Sequence, residues 1–238
     1  MSTVMSADSL SSTPTVNCQV PARRGILYIV SAPSGAGKTT LCKRIITSVP
    51  AIWHSVSFTT RKPRPGEEHG RDYFFVDENV FQGMVARNEF LEYAHVYSHW
   101  YGTPRKPLME KMEAGVDVLL EIDVQGALQI KKSFEDAVYI FILPPSLDIL
   151  RTRLQNRKSD SHEEIVRRLR KVKEEIWCFR EYDYIVRNDD LTRSLPDLQS
   201  IVLAERLKTR RLDMRWFEQS FIRDTNVEAA EREPSTTS

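Results

Sequence analysis

The chain has 238 residues, 41% hydrophobic and 28% charged, with a formal net charge of +1. That length suits one large domain or two small ones with a sizeable core, and the near-neutral charge excludes a global field for nucleic acid, so any anion site must be built locally. Cys18, Cys42 and Cys178 form no C-x-x-C pair, which suits a reducing cytoplasmic setting better than a disulfide scaffold or a zinc site. The longest apolar runs, residues 26–30 and 138–143, are too short to cross a bilayer, so no membrane association is expected.

Residues 1–22 are rich in Ser and Thr, contain Pro14 and Pro21 and lack periodicity; they read as a disordered extension. Residues 26–30 are apolar and β-branched, 31–37 are small and Gly-rich, and Leu41, Ile45 and Ile46 recur at helical spacing after Lys38. The spacing predicts strand, loop and helix. Such a loop wraps phosphates because successive backbone N–H groups point into one concavity and the helix N-terminus adds positive potential. The candidate ATP-phosphate residues are therefore Ala32, Pro33, Ser34, Gly35, Ala36, Gly37, Lys38, Thr39 and Thr40. Lys38 would reach the β- and γ-phosphates, and the Thr39 hydroxyl would sit on Mg²⁺. The departure from G-x-x-x-x-G-K-[ST] is Ala32 at the first position. A bland alternative is a strand-to-helix turn carrying an exposed lysine.

From residue 54 to about residue 106 the pattern shifts to short strands and turns: SVSFTT, the Pro/Gly-punctuated RKPRPGEEHG, DYFFV, a short helix with Val80, Phe81, Met84 and Val85, then FLEYAHV and WYGT. This reads as a small β-rich insert between two halves of an α/β core. Within it Arg61, Arg64, Tyr73 and Tyr101 could clamp a second phosphate; the two arginines alone would equally suit a solvated basic turn.

Residues 106–114 are helical and stop at Gly115, and 116–123, VDVLLEID, form a buried strand ending in acid. Ligands of a parallel sheet collect outside the carboxyl ends of its strands, which would bring Asp123 to the phosphate loop, holding Mg²⁺ directly or through water. The competing role for Glu121 or Asp123 is to cap the helix starting near Gln125. Residues 138–143 are a third buried strand. Arg151, Arg153 and Arg157 then crowd a basic stretch at 147–157, read as part of a lid over about 147–165. The helix at 163–179 carries Ile165, Leu169, Val172, Ile176 and Phe179 on one stripe, a core face and nothing more. Residues 184–186 are a last short strand, 192–212 an amphipathic helix, and 224–238 a disordered tail beyond a domain spanning 23–223.

A triphosphate loop, a separate Arg/Tyr cluster, a strand-end acid and a basic lid are the parts a transferase needs to move a phosphoryl group between two nucleotides, since that chemistry is mostly positioning and charge neutralisation. At this point SAPSGAGKTT, SFTTRKPRPGEEHGRDYFFV, WYGT, LEID and YDYIVRNDD, in this order between about Arg24 and Lys208, resemble bacterial guanylate kinase. The resemblance implies a three-layer α/β phosphate-loop kinase core with a parallel sheet, a β-rich GMP-binding insert and a helical lid. It implies Mg²⁺-dependent transfer from ATP to GMP, with dGMP as a further acceptor, in purine nucleotide metabolism and GMP recycling.

Carried onto matching positions, the resemblance gives Arg61, Arg64, Tyr73 and Tyr101 to the GMP phosphate and Glu67 to their orientation. Glu92 would accept from the guanine N1–H and amino group, and Ser57 and Thr103 would donate to O6, a pattern adenine would leave unpaired. Glu121 and Asp123 would complete the GMP side, with Thr39 and Asp123 on the metal side. Lys38, Arg153, Arg157 and Arg168 would stabilise the transferred group, and Asn188 would lie beside the ATP base. Departures from the family pattern are Glu121 for Asp, Lys158 for Gly, Arg187 for an apolar residue and Trp100 for Tyr. Two other readings compete: a phosphopeptide-binding module on the same scaffold, and a kinase with another acceptor. Partners are small nucleotides, with a homo-oligomer left open.

Overall fold

The computed structural model describes residues 23–96, 98–155 and 162–218, apart from the side chains of 162–168 and 216–217. The unit spanning 23–212 begins with β1 (Leu27–Ser31), the phosphate-loop segment, α1 (Lys38–Ser48) and β2 (Ile52–His54). The insert follows as β3 (Phe58–Thr59), β4 (Phe74–Phe75), α2 (Glu78–Ala86), β5 (Phe90–Val96) and β6 (His99–Pro104). The chain returns through α3 (Arg105–Glu113), β7 (Asp117–Glu121), α4 (Val124–Lys131) and β8 (Val138–Leu143). It ends with α5 (Leu147–Gln155), α6 (His162–Trp177), β9 (Tyr184–Arg187) and α7 (Leu191–Arg206). Beyond this unit, a short helix at Met214–Phe217 is capped by Asp213, which accepts from the Arg215 N–H.

The core sheet runs β2-β7-β1-β8-β9, all pairs parallel. A parallel sheet must be covered on both faces, and the sequence answers with strands that are apolar at nearly every position rather than alternating: LYIVS, DVLLE and VYIFIL. Alternate residues of β1 then serve opposite layers. Tyr28 and Val30 pack with Leu41 and Ile45 of α1 and Leu198 and Val202 of α7. Leu27 and Ile29 pack with Leu108 and Met112 of α3 and Ile130 of α4. Each fully buried aliphatic side chain of this kind contributes roughly 1.5–3 kcal/mol. The result is helix, sheet, helix, the α/β architecture expected.

Strand order reverses about β1: the chain moves to β2 on one side, fills β7 between them, then adds β8 and β9 on the other side. Loops after β1 and β7 therefore leave the same carboxyl edge side by side, the place where ligands of open α/β sheets bind.

The insert is a second sheet of order β4-β3-β6-β5, with β3 and β4 parallel and the other pairs antiparallel. Phe81, Met84 and Phe90 form its small core, with Phe58 and Trp100 against them. Trp100 stacks on Phe81 and its Nε1–H donates to Glu78 at 3.2 Å, so the Trp departure is absorbed by the insert core. Two predicted elements are shorter than expected: SVSFTT and DYFFV contribute only Phe58–Thr59 and Phe74–Phe75, joined by the Phe74 N–H to Ser57 O and Val76 N–H to Thr59 O bonds. β2 was not anticipated; three residues are too few for a periodicity. The last long helix stops at Arg206, followed by a 3-10 turn at Thr209–Arg211. Arg157 and Lys158 lie outside the described residues, as do the side chain of Arg168 and both tails.

Candidate active site

One cleft of about 300 Å³ opens at the carboxyl edge, lined by 32–40 of the phosphate loop, by Ser57, Tyr73, Glu92 and Tyr101 of the insert, and by Glu121 and Asp123 at and just past the end of β7. Residues separated by most of the chain thus face one another.

Gly35 and Gly37 have φ of +94° and +90°, the left-handed region that only glycine adopts without strain. At Gly37 a β-carbon would also lie 2.3 Å from Asn188 Nδ2. Ala32 needs no glycine: among described non-glycine residues only Ala51, Asn88 and Ser98 take positive φ, and Ala32 is buried in the core instead. Asn188 is turned toward the loop: its Nδ2 donates to Ala36 O at 2.7 Å, and its Oδ1 accepts from Ser194 Oγ at 3.1 Å. Through that bond it braces the phosphate loop, the segment beside which the resemblance set the ATP base. Arg153 reaches the same region, donating to Ala36 O at 3.5 Å and Asn188 O at 3.3 Å. Arg187, the departure next to Asn188, is exposed and pairs with Asp189.

Lys38 Nζ donates to Ile122 O at 2.5 Å and Thr39 Oγ1 donates to Glu121 Oε1 at 2.5 Å. The two residues that begin α1 are therefore tied to the end of β7. Asp123 combines both roles weighed for it. Its Oδ1 caps α4 by accepting from Gly126 N at 3.0 Å, while its Oδ2 is buried with no hydrogen-bond partner. The two strand-end acids face different neighbours: Glu121 meets the Thr39 hydroxyl, whereas Asp123 acts electrostatically on Glu92.

The three residues expected to read guanine come together in the insert sheet: the β5–β6 ladder sets Glu92 opposite Thr103, and pairing of β3 with β6 brings Ser57 beside them. Thr103 Oγ1 donates to Glu92 Oε1 at 2.6 Å and stands 3.5 Å from Ser57 Oγ, and all three residues are buried. Burial pushes the Glu92 carboxyl up to about 7; Asp123 adds to this, and Thr103 and Lys38 oppose it. Nearby, Arg61 pairs with Glu67 at 2.9 Å and lies over the Tyr73 ring, which meets the Tyr101 ring edge-on. Glu67 also accepts from the Arg64 N–H at 2.8 Å. Burial raises the Glu67 carboxyl, but Arg61 and the Arg64 amide outweigh it and hold it below its ordinary value. Burial and the Glu121 charge push the Tyr73 hydroxyl up, keeping it a neutral donor.

Sequence reasoning missed three residues here. Lys171 and Glu175 of α6 line the cleft and pair at 3.5 Å; the helix read as core face only, but their i,i+4 spacing off the apolar stripe was a usable signal. Burial, with Asp123 adding, raises the Glu175 carboxyl against the pull of Lys171. The third is His54, whose buried Nε2 lies 4.0 Å from Glu121 Oε2; burial holds its imidazole low against the pull of Glu121.

The "Guanylate kinase" family model matches residues 24–205. The chain is 53% identical to a guanylate kinase from Geobacter sulfurreducens, covering 80% of this chain and 94% of that protein. It is 50% identical to one from Legionella pneumophila, covering 77% and 88%. Among solved structures, a guanylate kinase from Anaplasma phagocytophilum superposes with a TM-score of 0.72 at 34% identity, covering 84% of this chain and 97% of that one. Likeness of this depth, running through both the phosphate loop and the insert, makes the chain a member of the guanylate kinase family.

Proposed function

We propose that the chain transfers the γ-phosphoryl group of ATP to GMP, giving ADP and GDP. The observation that carries this is the meeting, in one cleft, of the Gly35–Gly37–Lys38 loop with Ser57 and Glu92. An oxygen of the GMP phosphate attacks the γ-phosphorus, the bond to the β–γ bridging oxygen breaks, and ADP leaves. The nucleophile comes with the substrate, so no strong base is required.

The loop amides and Lys38 would hold the β- and γ-phosphates. Arg61, Arg64, Tyr73 and Tyr101 would hold the GMP phosphate, with Glu67 fixing Arg61. Glu92 would accept from the guanine N1–H and amino group, with Asp123 beside it, while Ser57 and Thr103 offer hydroxyls to O6. Arg153, with Arg157 and Arg168 by resemblance, would neutralise charge on the moving group. Asn188 would act by bracing the loop.

Thr39 Oγ1, the Glu121 carboxylate and the unpartnered Asp123 Oδ2 are hard oxygen donors of the kind Mg²⁺ takes, usually alongside water and substrate phosphates. Mg²⁺ bound with ATP would supply charge neutralisation on the β- and γ-phosphates. Thr39 and Glu121 are the pair we assign to that side, with Asp123 shared toward the base. Free thiols at Cys42 and Cys178 suit a cytoplasmic setting, and the role is purine nucleotide metabolism and GMP recycling.

The test is ADP production from Mg-ATP with GMP, dGMP, AMP, CMP, UMP or no acceptor. Turnover confined to GMP and, more weakly, dGMP is expected. Another preferred acceptor would keep the kinase and discard the base-reading triplet; binding of GMP without turnover would make the chain a binding module.

A further inference from the structure

We propose that Gly126 is a positioning residue for Glu92: the missing side chain at this point of α4 seats the carboxylate where it reads the acceptor base. The inference rests on the base-reading role of Glu92 and deepens it by naming what fixes that group from its far side.

Gly126 lies in the first turn of α4 and donates its N–H to Asp123 Oδ1 at 3.0 Å. Glycine within a helix lowers stability relative to alanine, and Gly126 is not among the glycines with positive φ. Backbone conformation therefore does not require it. Space does: a β-carbon here would lie 2.6 Å from Glu92 Oε2, 3.1 Å from Glu92 Cδ and 3.4 Å from Asp123 Oδ1. The first distance is far inside van der Waals contact, so the carboxylate would have to move.

Glu92 has few places to go. It is 5% exposed, and its Oε1 accepts from Thr103 Oγ1 at 2.6 Å. Thr103 in turn stands 3.5 Å from Ser57 Oγ. A carboxylate pushed off α4 moves relative to both hydroxyls at once, and hydrogen-bond strength falls steeply with misalignment. Because the conflicting atoms are the far end of one side chain, the helix itself can tolerate alanine; what is lost is the registration of Glu92 with Ser57 and Thr103. A site that discriminates by pairing every polar edge of its ligand is sensitive to such a shift.

The experiment is steady-state kinetics on Gly126→Ala, Glu92→Gln, Glu92→Asp and the double variant Glu92→Asp/Gly126→Ala, with thermal melts of each. Gly126→Ala is expected to raise the KM for GMP by about tenfold or more while the KM for ATP stays within about twofold. Shortening the carboxylate by one methylene withdraws it from the added methyl group. The double variant should therefore have a GMP KM below the product of the two single effects. An unchanged GMP KM in Gly126→Ala, or strictly multiplicative effects in the double variant, overturns the proposal. If Gly126→Ala does not fold, the double variant must fold for the proposal to stand, and failure of both puts the conflict elsewhere and refutes it. Should Glu92→Gln leave the GMP KM unchanged, the base-reading role itself has failed, a result distinct from a silent Gly126→Ala beside an impaired Glu92→Gln.

Discussion

Thr39 Oγ1 and Glu121 Oε1 meet at 2.5 Å across 82 residues of sequence, joining the start of α1 to the end of β7. The Glu121 side chain makes this reach from the last residue of β7. Removing it with Glu121→Ala should raise the half-saturating Mg²⁺ concentration by about 10–100-fold, the usual effect of losing a group that orients a metal's ligands. The GMP dissociation constant measured by calorimetry without Mg²⁺ should stay within about twofold. The opposite pattern would return Glu121 to the acceptor side, where sequence reasoning put it.

Glu92 should make acceptor binding pH-dependent. Its carboxyl is pushed up to about 7 by burial, and only the ionised form accepts two guanine donors. GMP affinity relative to Glu92→Gln should therefore fall as pH drops below about 7, approaching tenfold per unit. For stability the sign is opposite. The folded-state value lies above the unfolded one, so Glu92's contribution is complete below the ordinary carboxylate range and is lost as pH rises through about 7. A flat affinity ratio between about pH 5.5 and 8 would mean that the carboxylate is not the acceptor.

Among the described residues the Lys38 Nζ makes one hydrogen bond, to Ile122 O, so Lys38→Ala costs the fold only about 0.5–1.5 kcal/mol. Turnover should fall about 10²–10³-fold with loss of a preorganised charge at the transferred group. A single-turnover assay beside a thermal melt separates the two effects, and near-normal turnover would remove Lys38 from the phosphate site.

Asp117 marks the opposite edge of the sheet. It is fully buried, accepts from Arg23 at 2.6 Å, Arg206 at 2.7 Å and the Ile26 N–H at 2.9 Å, and so ties β7 to β1 and α7. Asp117→Ala leaves two largely buried guanidiniums unpaired and should destabilise by about 3–5 kcal/mol in urea unfolding. The GMP KM of the folded fraction at low temperature should be unaffected, because the clamp lies across the sheet from the cleft.

The element-level fold was legible where one segment carries its own reason to exist. β1, the phosphate loop and α1 could be read because an apolar run, a small Gly-rich run and a 3.6-residue period follow one another within a short stretch. The buried strands ending at Glu121 and Leu143 could be read because parallel strands covered on both faces are apolar throughout. β2 could not, being an edge strand of three residues whose pairing with β7, not its composition, makes it a strand. Lys171 and Glu175 were missed because a helix was credited with one face, and its polar side gains meaning only when β7 and the insert lie opposite.

By itself the sequence determined the chemistry on offer: an anion-cradling loop, an Arg/Tyr cluster, acids at a strand end and a family resemblance, all local in origin. Only the tertiary structure decided how these are shared out. Parallel register turns Glu121 toward Thr39 and leaves Asp123 capping α4 with one oxygen free. Asn188 is carried 152 residues in sequence to brace Ala36. Gly126 clears the space that Glu92 fills from another sheet. Each brings together groups whose separation is set by strand order and layer packing, which no local pattern of residues encodes.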